Sequence, residues 1–340
     1  MSIQSSKSPD INRVVKPESR DEDIISEISL RPQRLSEYVG QTQMKQHLTV
    51  AIESAKIRKA PLEHILFYGP PGLGKTTIST IIAHEMASAI KSTSGPAIEK
   101  QSDIVSLLTS LTEGEILFID EIHRLRPQIE EILYSAMEDY TIDIMIGSGT
   151  GSTSVRMDIP RFTLIGATTR LSSLSSPLRD RFGNVMKLDF YEPADLARIV
   201  KRSFSILGCS TISDEAILAI AHRSRGTPRI ANRYVKILRD YATIGKPIES
   251  RSDCEAIFES FGVDAHGLDI LDRKLMHHLV ETFYSRPVGL STLASVIGEE
   301  VATIEDVVEP YLLQMGLIER TPRGRQITLK GEEYLRKSEK

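Results

Sequence analysis

The sequence predicts three units: an α/β domain on a parallel sheet, a smaller all-helical unit, and a helix–turn–helix closed by a β-hairpin. Three observations predict this. Short β-rich apolar runs alternate with helical stretches from about residue 28 to 191; strand signals cease over 192–262; two β-like runs return around a turn near 322–325. The 340 residues suit two or three domains. With 26% charged and 40% hydrophobic residues plus 21 glycines, the composition excludes a wholly disordered, collagen-like or membrane-embedded chain. No apolar run approaches the ~20 residues a spanning helix needs.

The elements follow in order. Residues 1–27 are polar, carry the acidic run Asp21–Asp23 and show no apolar period, so a mobile tail is expected. In the first unit the strand-like runs are HILFYG (64–69), EILFID (115–120), RFTLIGATT (161–169) and NVMKLDFY (184–191). In the second unit (192–262), Ser213 precedes a stripe at Ile217, Ile220 and Ala221, and Gly226 closes that helix. Thr227 reads as an N-cap with Pro228 at the first helical position, followed by Ile230, Tyr234, Ile237, Leu238 and Tyr241 at helical spacing. The third unit (263–340) starts with helices near Leu271–Phe283 and Ser291–Val296. A longer one opens at Thr303, which has capping-box spacing to Asp306. Its apolar face is Ile304, Val307, Val308, Tyr311, Leu312 and Met315, and Pro310 predicts a bend. LIERTPRGRQITL (317–329) completes a winged-helix pattern.

The chemistry starts at GPPGLGKT (69–76), which matches G-x-x-x-x-G-K-[ST] between a strand-like and a helical run. Such a loop turns successive N–H groups toward an anion at a helix N-terminus. Lys75 would reach the β and γ phosphates of a nucleotide, and Thr76 would bind Mg²⁺. In ILFIDE (116–121), Asp120 ends a buried strand where it can hold Mg²⁺ through water, and Glu121 can orient a water for attack on the γ-phosphate. Hydrolysis is therefore expected as well as binding. Arg229, in GTPR (226–229), lies at the positive end of its helix, where a nearby anion would favour it. It reads as a phosphate sensor or as an exposed arginine. Arg181, in SPLRDRFG (176–183), reads as an arginine finger inserted into a neighbouring subunit or as one half of a surface pair with Asp180, and spacing alone favours the pair.

The phosphate loop, FIDEIHRL (118–125), AMEDY (136–140), GATTR (166–170), SPLRDRFG (176–183), RGTPRIANR (225–233), EDVVEPYLLQMG (305–316) and RTPRGR (320–325) occur in that order. Together they closely resemble the RuvB family of bacterial Holliday-junction branch-migration motors, within the AAA+ ATPases, over residues 28–330. The resemblance implies an AAA+ large domain, a small helical lid and a winged-helix DNA-binding domain. It further implies ATP and Mg²⁺, a homo-hexameric ring around duplex DNA, and work with RuvA and RuvC at four-way junctions. By the same resemblance Leu30 and Arg31 match positions near the adenine, and Gly72, Gly74, Lys75, Thr76 and Thr77 match the phosphate and Mg²⁺ contacts. Glu138, Asp139 and Tyr140 match a further nucleotide-associated stretch, and Tyr191 a contact near the lid. Thr168 matches the first sensor, Arg229 the second, and Arg181 the finger acting in trans. Arg320, Arg323 and Arg325 match the DNA-touching wing.

TIDIMIGSGTGSTSVRMDIP (141–160) alternates apolar and polar residues around a Gly/Ser/Thr tip, as a protruding hairpin does. The resemblance implies that it docks on RuvA, with Val155 and Met157 as candidate apolar anchors. Tyr38, in Tyr38-Val39-Gly40, looks like a pore loop but precedes the phosphate loop, so packing near the adenine is expected.

The net charge of −4 means that any nucleic-acid contact rests on a local patch. Residues 263–340 hold 10 Lys/Arg and 13 Asp/Glu, yet three arginines fall within six residues at the wing. Arginines on a narrow hairpin suit backbone phosphates and sequence-independent binding, so Arg325→Ala is expected to weaken DNA binding equally across sequences. Cys209 and Cys254 form no CxxC and imply no disulfide framework or zinc site, and MSIQSSKSPD lacks a signal-peptide core. A cytoplasmic protein with no membrane contact is expected. A sequence-specific nucleotide switch, a clamp loader and a protein unfoldase are the rival readings; the RTPRGR wing argues against the clamp loader, and the position of Tyr38 against the unfoldase.

Overall fold

A computed structural model describes residues 30–146, 153–209, 212–246, 248 and 250–338. The expected tail (1–27) and the tip of the 141–160 hairpin lie outside the described residues.

In the first unit, α1 (Thr42–Arg58) leads to β1 (Ile65–Tyr68), α2 (Lys75–Met86), β2 (Ile90–Ser94), α3 (Gln101–Thr109), β3 (Ile116–Asp120) and α4 (Pro127–Glu138). The hairpin β4 (Thr141–Ile146) and β5 (Thr153–Asp158) follows, then β6 (Thr163–Thr168), α5 (Ser176–Asp180) and β7 (Asn184–Lys187). Strands β2-β3-β6-β1-β7 form one sheet in that order, and all its pairings are parallel. The predicted runs supply β1, β3, β6 and β7. A parallel sheet is covered on both faces, which is why ILFY, ILFI and TLIGAT are buried almost throughout. Ile65, Phe67, Ile116, Phe118 and Ile165 face one core; Leu66, Leu117, Ile119 and Leu164 face the other. The edge strand β2, IKSTS, is only half-buried and carries no apolar run, so periodicity misses it. β1 pairs with β6 and β6 with β3, so the end of β1, Thr168 and Asp120 meet along one edge of the sheet. Ligands bind outside the carboxyl ends of such strands.

The lid comprises α6 (Pro193–Ile206), α7 (Asp214–Arg223), α8 (Pro228–Thr243) and α9 (Arg251–Ser260). Its apolar residues Leu196, Val200, Ile220, Tyr234, Leu238 and Phe258 join the core on one face of the sheet. Ser213 caps α7, accepting the N–H of Ala216. Thr227 occupies the N-cap position of α8 without a side-chain cap; its hydroxyl donates to the Ser224 carbonyl instead.

The third unit has a core of its own, including Leu275, Leu279, Leu293, Ile304, Leu312, Leu317 and Ile327. It runs α10 (Ile270–Glu281), α11 (Leu290–Ile297), α12 (Val301–Thr303), a π-helical turn (Ile304–Val308), α13 (Glu309–Gln314), the hairpin β8 (Ile318–Thr321) and β9 (Gly324–Ile327), and α14 (Leu329–Ser338). The start expected at Thr303 is corrected: Glu300 holds the N-cap position, and Thr303 is itself helical and makes no cap. The bend expected at Pro310 takes the form of the π turn. Proline donates no N–H, and the preceding Glu309 N–H reaches back to the Ile304 carbonyl. The wider turn rotates the face, so Val307, assigned to the apolar side, is 60% exposed. Among the described residues no helix is long and apolar enough to cross a membrane, and Cys209 and Cys254 are unbridged.

Candidate functional site

The phosphate loop turns between β1 and α2 because its glycines adopt backbone angles that side chains resist. Gly72 (φ 81°) and Gly74 (φ 97°) are left-handed, and a Cβ on Gly72 would lie 3.2 Å from Arg229 Cβ. Lys75 opens α2 and is buried, with Nζ donating to the carbonyls of Gly69 and Pro70, both at 2.8 Å. Burial pushes its pKa down to about 8, further lowered by Arg229, while Asp120 pulls it back up. A buried ammonium on backbone carbonyls is poised for an anion.

A cleft of about 480 Å³ opens there, lined by Gly72, Gly74, Lys75, Thr76, Asp120, Glu121 and Arg229. The expected phosphate, metal-ligand and hydrolytic residues therefore do converge. Glu121 has a left-handed backbone (φ 49°), uncommon for a side chain of its size, and its carboxylate pairs with Arg124 at 3.1 Å. Arg229 is exposed on the cleft wall, and its N–H donates to the Gly72 carbonyl at 3.3 Å. That bond ties the lid to the phosphate loop.

A smaller adjoining cavity is lined by Leu30, Arg31, Tyr38, Gly74, Thr77, Tyr191 and Arg202. The phenols of Tyr38 and Tyr191 both donate to the Leu73 carbonyl, at 3.3 and 3.4 Å. Burial raises both, Tyr191 to about 12. Arg202 Nη1 donates to the Leu30 carbonyl at 2.7 Å, clipping the start of the first unit to the lid. The residues expected near the adenine thus sit together beside the phosphate loop, Tyr38 among them.

Other expected residues lie elsewhere. The Thr168 hydroxyl is turned away from the cleft: it faces His123 Nδ1 at 3.0 Å and accepts the N–H of Arg170 at 2.9 Å. Its neighbour Thr169 lines the cleft instead, because successive residues at a strand end point to opposite sides. Sequence reasoning missed Thr169, and also Arg233 and Lys236, which line the same wall.

Glu138, Asp139 and Tyr140 are far from Lys75 in the fold. Tyr140 packs on Phe162 and His64, beside the amino ends of β6 and β1, opposite the phosphate loop. Arg181 joins that side: Nη2 lies 3.0 Å from Glu138, and the guanidinium sits 4.6 Å over the Tyr134 ring. The surface pair with Asp180 does not form; Arg179 lies nearer that carboxylate, at 3.9 Å. Arg181 Nε is buried without a hydrogen-bond partner among the described residues.

At the wing two of the three arginines have a partner that the sequence does not show. Arg320 and Arg325 both grip Glu309, the first at 2.8 and 3.0 Å, the second at 2.9 and 3.1 Å. Glu309 is fully buried. Burial pushes its carboxyl up, but the two guanidinium groups outweigh that and hold it below the usual carboxylate range. Arg325 is only 18% exposed, so its first task is structural. Arg323, at the turn, is exposed and has no carboxylate partner among the described residues. In the other hairpin, Val155 is exposed, while Met157 packs toward the core under β6.

Comparison with known proteins agrees with this arrangement. Residues 30–188 match the family described as the Holliday junction DNA helicase RuvB P-loop domain, 191–264 the RuvB AAA lid domain, and 265–336 the RuvB C-terminal winged helix domain. The chain is 53% identical over 315 residues to the Holliday junction branch migration complex subunit RuvB of Clostridium kluyveri, covering 92% of this chain and 90% of that one. The solved Thermotoga maritima RuvB branch migration motor superposes with a TM-score of 0.83 at 46% identity, covering 91% of this chain and 98% of that one. A single-substitution variant of that motor matches equally, at 47% identity and TM-score 0.83, over 90% and 98%. A phosphate cleft tied to a helical lid, with a winged helix appended, and agreement along nearly the whole length lead to one conclusion: the chain belongs to the RuvB family of AAA+ Holliday-junction DNA helicases.

Proposed function

We propose that this protein is an ATP-driven motor that moves duplex DNA to drive branch migration of Holliday junctions, as a homo-hexamer acting with RuvA and RuvC in the bacterial cytoplasm. The observation that carries the proposal is the separation of Arg181 from Lys75 within one subunit. Arg181 has no place in its own cleft, yet it lies exposed enough, at 23%, to reach a neighbour's.

ATP binds where Lys75 and the N–H groups of the phosphate loop meet its phosphates, with Leu30, Arg31, Tyr38 and Tyr191 around the adenine side. Thr76 and Asp120 are oxygen donors on facing elements and fit Mg²⁺, which when bound would neutralise phosphate charge. Glu121 orients the attacking water. Thr169 and Arg229 contact the γ-phosphate from the sheet and the lid. The neighbour's Arg181 stabilises the charge that develops there, with Glu138, Asp139 and Tyr140 beside it at the same seam.

Loss of the γ-phosphate moves the lid through Arg229, and the winged helix travels with it. Arg323 leads the contact with DNA backbone phosphates, and Arg320 adds its half-exposed charge. The hairpin β4–β5 docks on RuvA, with Val155 as an apolar anchor.

A synthetic four-way junction incubated with the protein, RuvA, ATP and Mg²⁺ tests the proposal. Strand-exchanged products are expected with wild type and not with Glu121→Gln. ATP-independent products, or binding confined to one DNA sequence, would indicate a nucleotide switch in place of a motor.

A further inference from the structure

Residues outside the cleft link it physically to the winged helix. His123, two residues beyond Glu121, faces the Thr168 hydroxyl, which accepts the N–H of Arg170. The Arg170 guanidinium then leaves the ATPase domain for the π-helical turn. Its Nη2 lies 2.7 Å from Asp306 Oδ1 and 2.9 Å from Glu305 Oε2. That turn runs straight into α13, whose first residue, Glu309, holds Arg320 and Arg325 of the hairpin. The path from the hydrolytic side of the cleft to the wing is unbroken.

The lid meets the winged helix through a different kind of contact. Arg225 is buried, donates through Nε to the Gly267 carbonyl at 2.7 Å, pairs with Asp269 at 2.9 Å, and also grips the fully buried Asp272. Its guanidinium lies 5.4 Å over the Tyr311 ring. Parting a buried pair leaves uncompensated charge in the interior, whereas parting an exposed pair returns both ions to water at little cost. Arg225 is thus a lasting staple that makes lid and winged helix one body. Arg170, 40% exposed, holds that body to the ATPase domain by a contact weak enough to be made and broken within a cycle. Single π-helical turns inside helices are also frequent at functional sites.

We propose that Arg170 is a positioning residue that couples the nucleotide cleft to the DNA-contacting hairpin by clasping Glu305 and Asp306 in one nucleotide state and releasing them in another. This rests on the reading of the wing as the DNA contact. Coupling between two sites is reciprocal, so the clasp sets both how strongly nucleotide changes DNA affinity and how strongly DNA changes nucleotide affinity.

The test uses the full-length protein and random-sequence duplex DNA. DNA affinity is measured with ADP and with a non-hydrolysable ATP analogue, and the ratio of the two is the readout. A merely structural contact would shift both affinities together and leave the ratio alone. In Arg170→Ala the ratio is expected to move toward one by about fivefold, the lower end of typical couplings. Glu305→Gln combined with Asp306→Asn should do the same from the other side, and Arg170→Lys should recover part of the effect. A ratio equal to wild type in both the Arg170→Ala protein and the Glu305→Gln/Asp306→Asn protein overturns the clasp alone. A wild-type ratio of one overturns the clasp and the motor reading together.

Discussion

Arg325→Ala and Arg323→Ala separate the arginine that pairs with a buried carboxylate from the one proposed to contact DNA. Arg325 gives the fully buried Glu309 two charge-assisted hydrogen bonds, at 2.9 and 3.1 Å. Bonds to charged groups are worth about 1.5–3 kcal/mol each, and breaking a buried pair outright costs about 3–5 kcal/mol. Glu309 keeps Arg320 at 2.8 and 3.0 Å, so the carboxylate is not orphaned and the lower part of that range applies. A loss of about 2–3 kcal/mol is expected in the winged-helix domain. For a domain of that size each kcal/mol moves the melting temperature by about 4–8 °C. Calorimetry should therefore show the transition of that domain falling by about 8–24 °C. Arg323 has no such partner, so its substitution should change stability by less than about 0.5 kcal/mol. It should instead lower the slope of log affinity against log salt by about 0.9, one phosphate contact, for every duplex sequence. An Arg325→Ala protein that melts like wild type, beside an Arg323→Ala protein with an unchanged salt slope, would refute the assignment.

Three further outcomes follow. Glu121→Gln should bind nucleotide as wild type does and hydrolyse it about 10²–10⁴-fold more slowly, as read by nucleotide titration beside steady-state turnover. His64 accepts the Leu164 N–H at Nδ1 (2.8 Å) and lies 3.1 Å from the Met137 carbonyl at Nε2, and burial lowers its pKa from 6.5. The unfolded chain therefore binds a proton more readily, so this contribution to stability is complete above pH 6.5 and is lost as pH falls through the native value. Denaturant unfolding between pH 5 and 7 should show a shallower pH dependence in His64→Gln. Val155→Asp should weaken co-sedimentation with RuvA and leave ATP turnover by the isolated protein unchanged.

The residues legible in the sequence are those whose function depends on local spacing. The phosphate loop and Asp120 are fixed by short contiguous patterns, and a strand of four buried apolar residues announces itself. What stayed hidden depends on distance along the chain. Glu309 meets partners 11 and 16 residues away, so nothing local marks RTPRGR as partly neutralised. Arg181 meets Glu138 across 43 residues, which no helix spacing reveals. Thr168 and Thr169 differ by one residue of strand register, and in a strand that step reverses the face. β2 was missed because an edge strand of IKSTS composition needs little apolar surface, and Val307 was misplaced because a π turn breaks the 3.6-residue period.

We propose that each ATP is cleaved at a seam between subunits, with Lys75 from one and Arg181 from the next. Mixing Arg181→Ala with Lys75→Ala distinguishes this from cleavage within one subunit, because each variant supplies what the other lacks. In equal mixtures about a quarter of head-to-tail seams would pair an intact loop with an intact arginine. ATP turnover should then rise well above that of either variant alone, in proportion to those seams. A mixture as inactive as its components would contradict the claim.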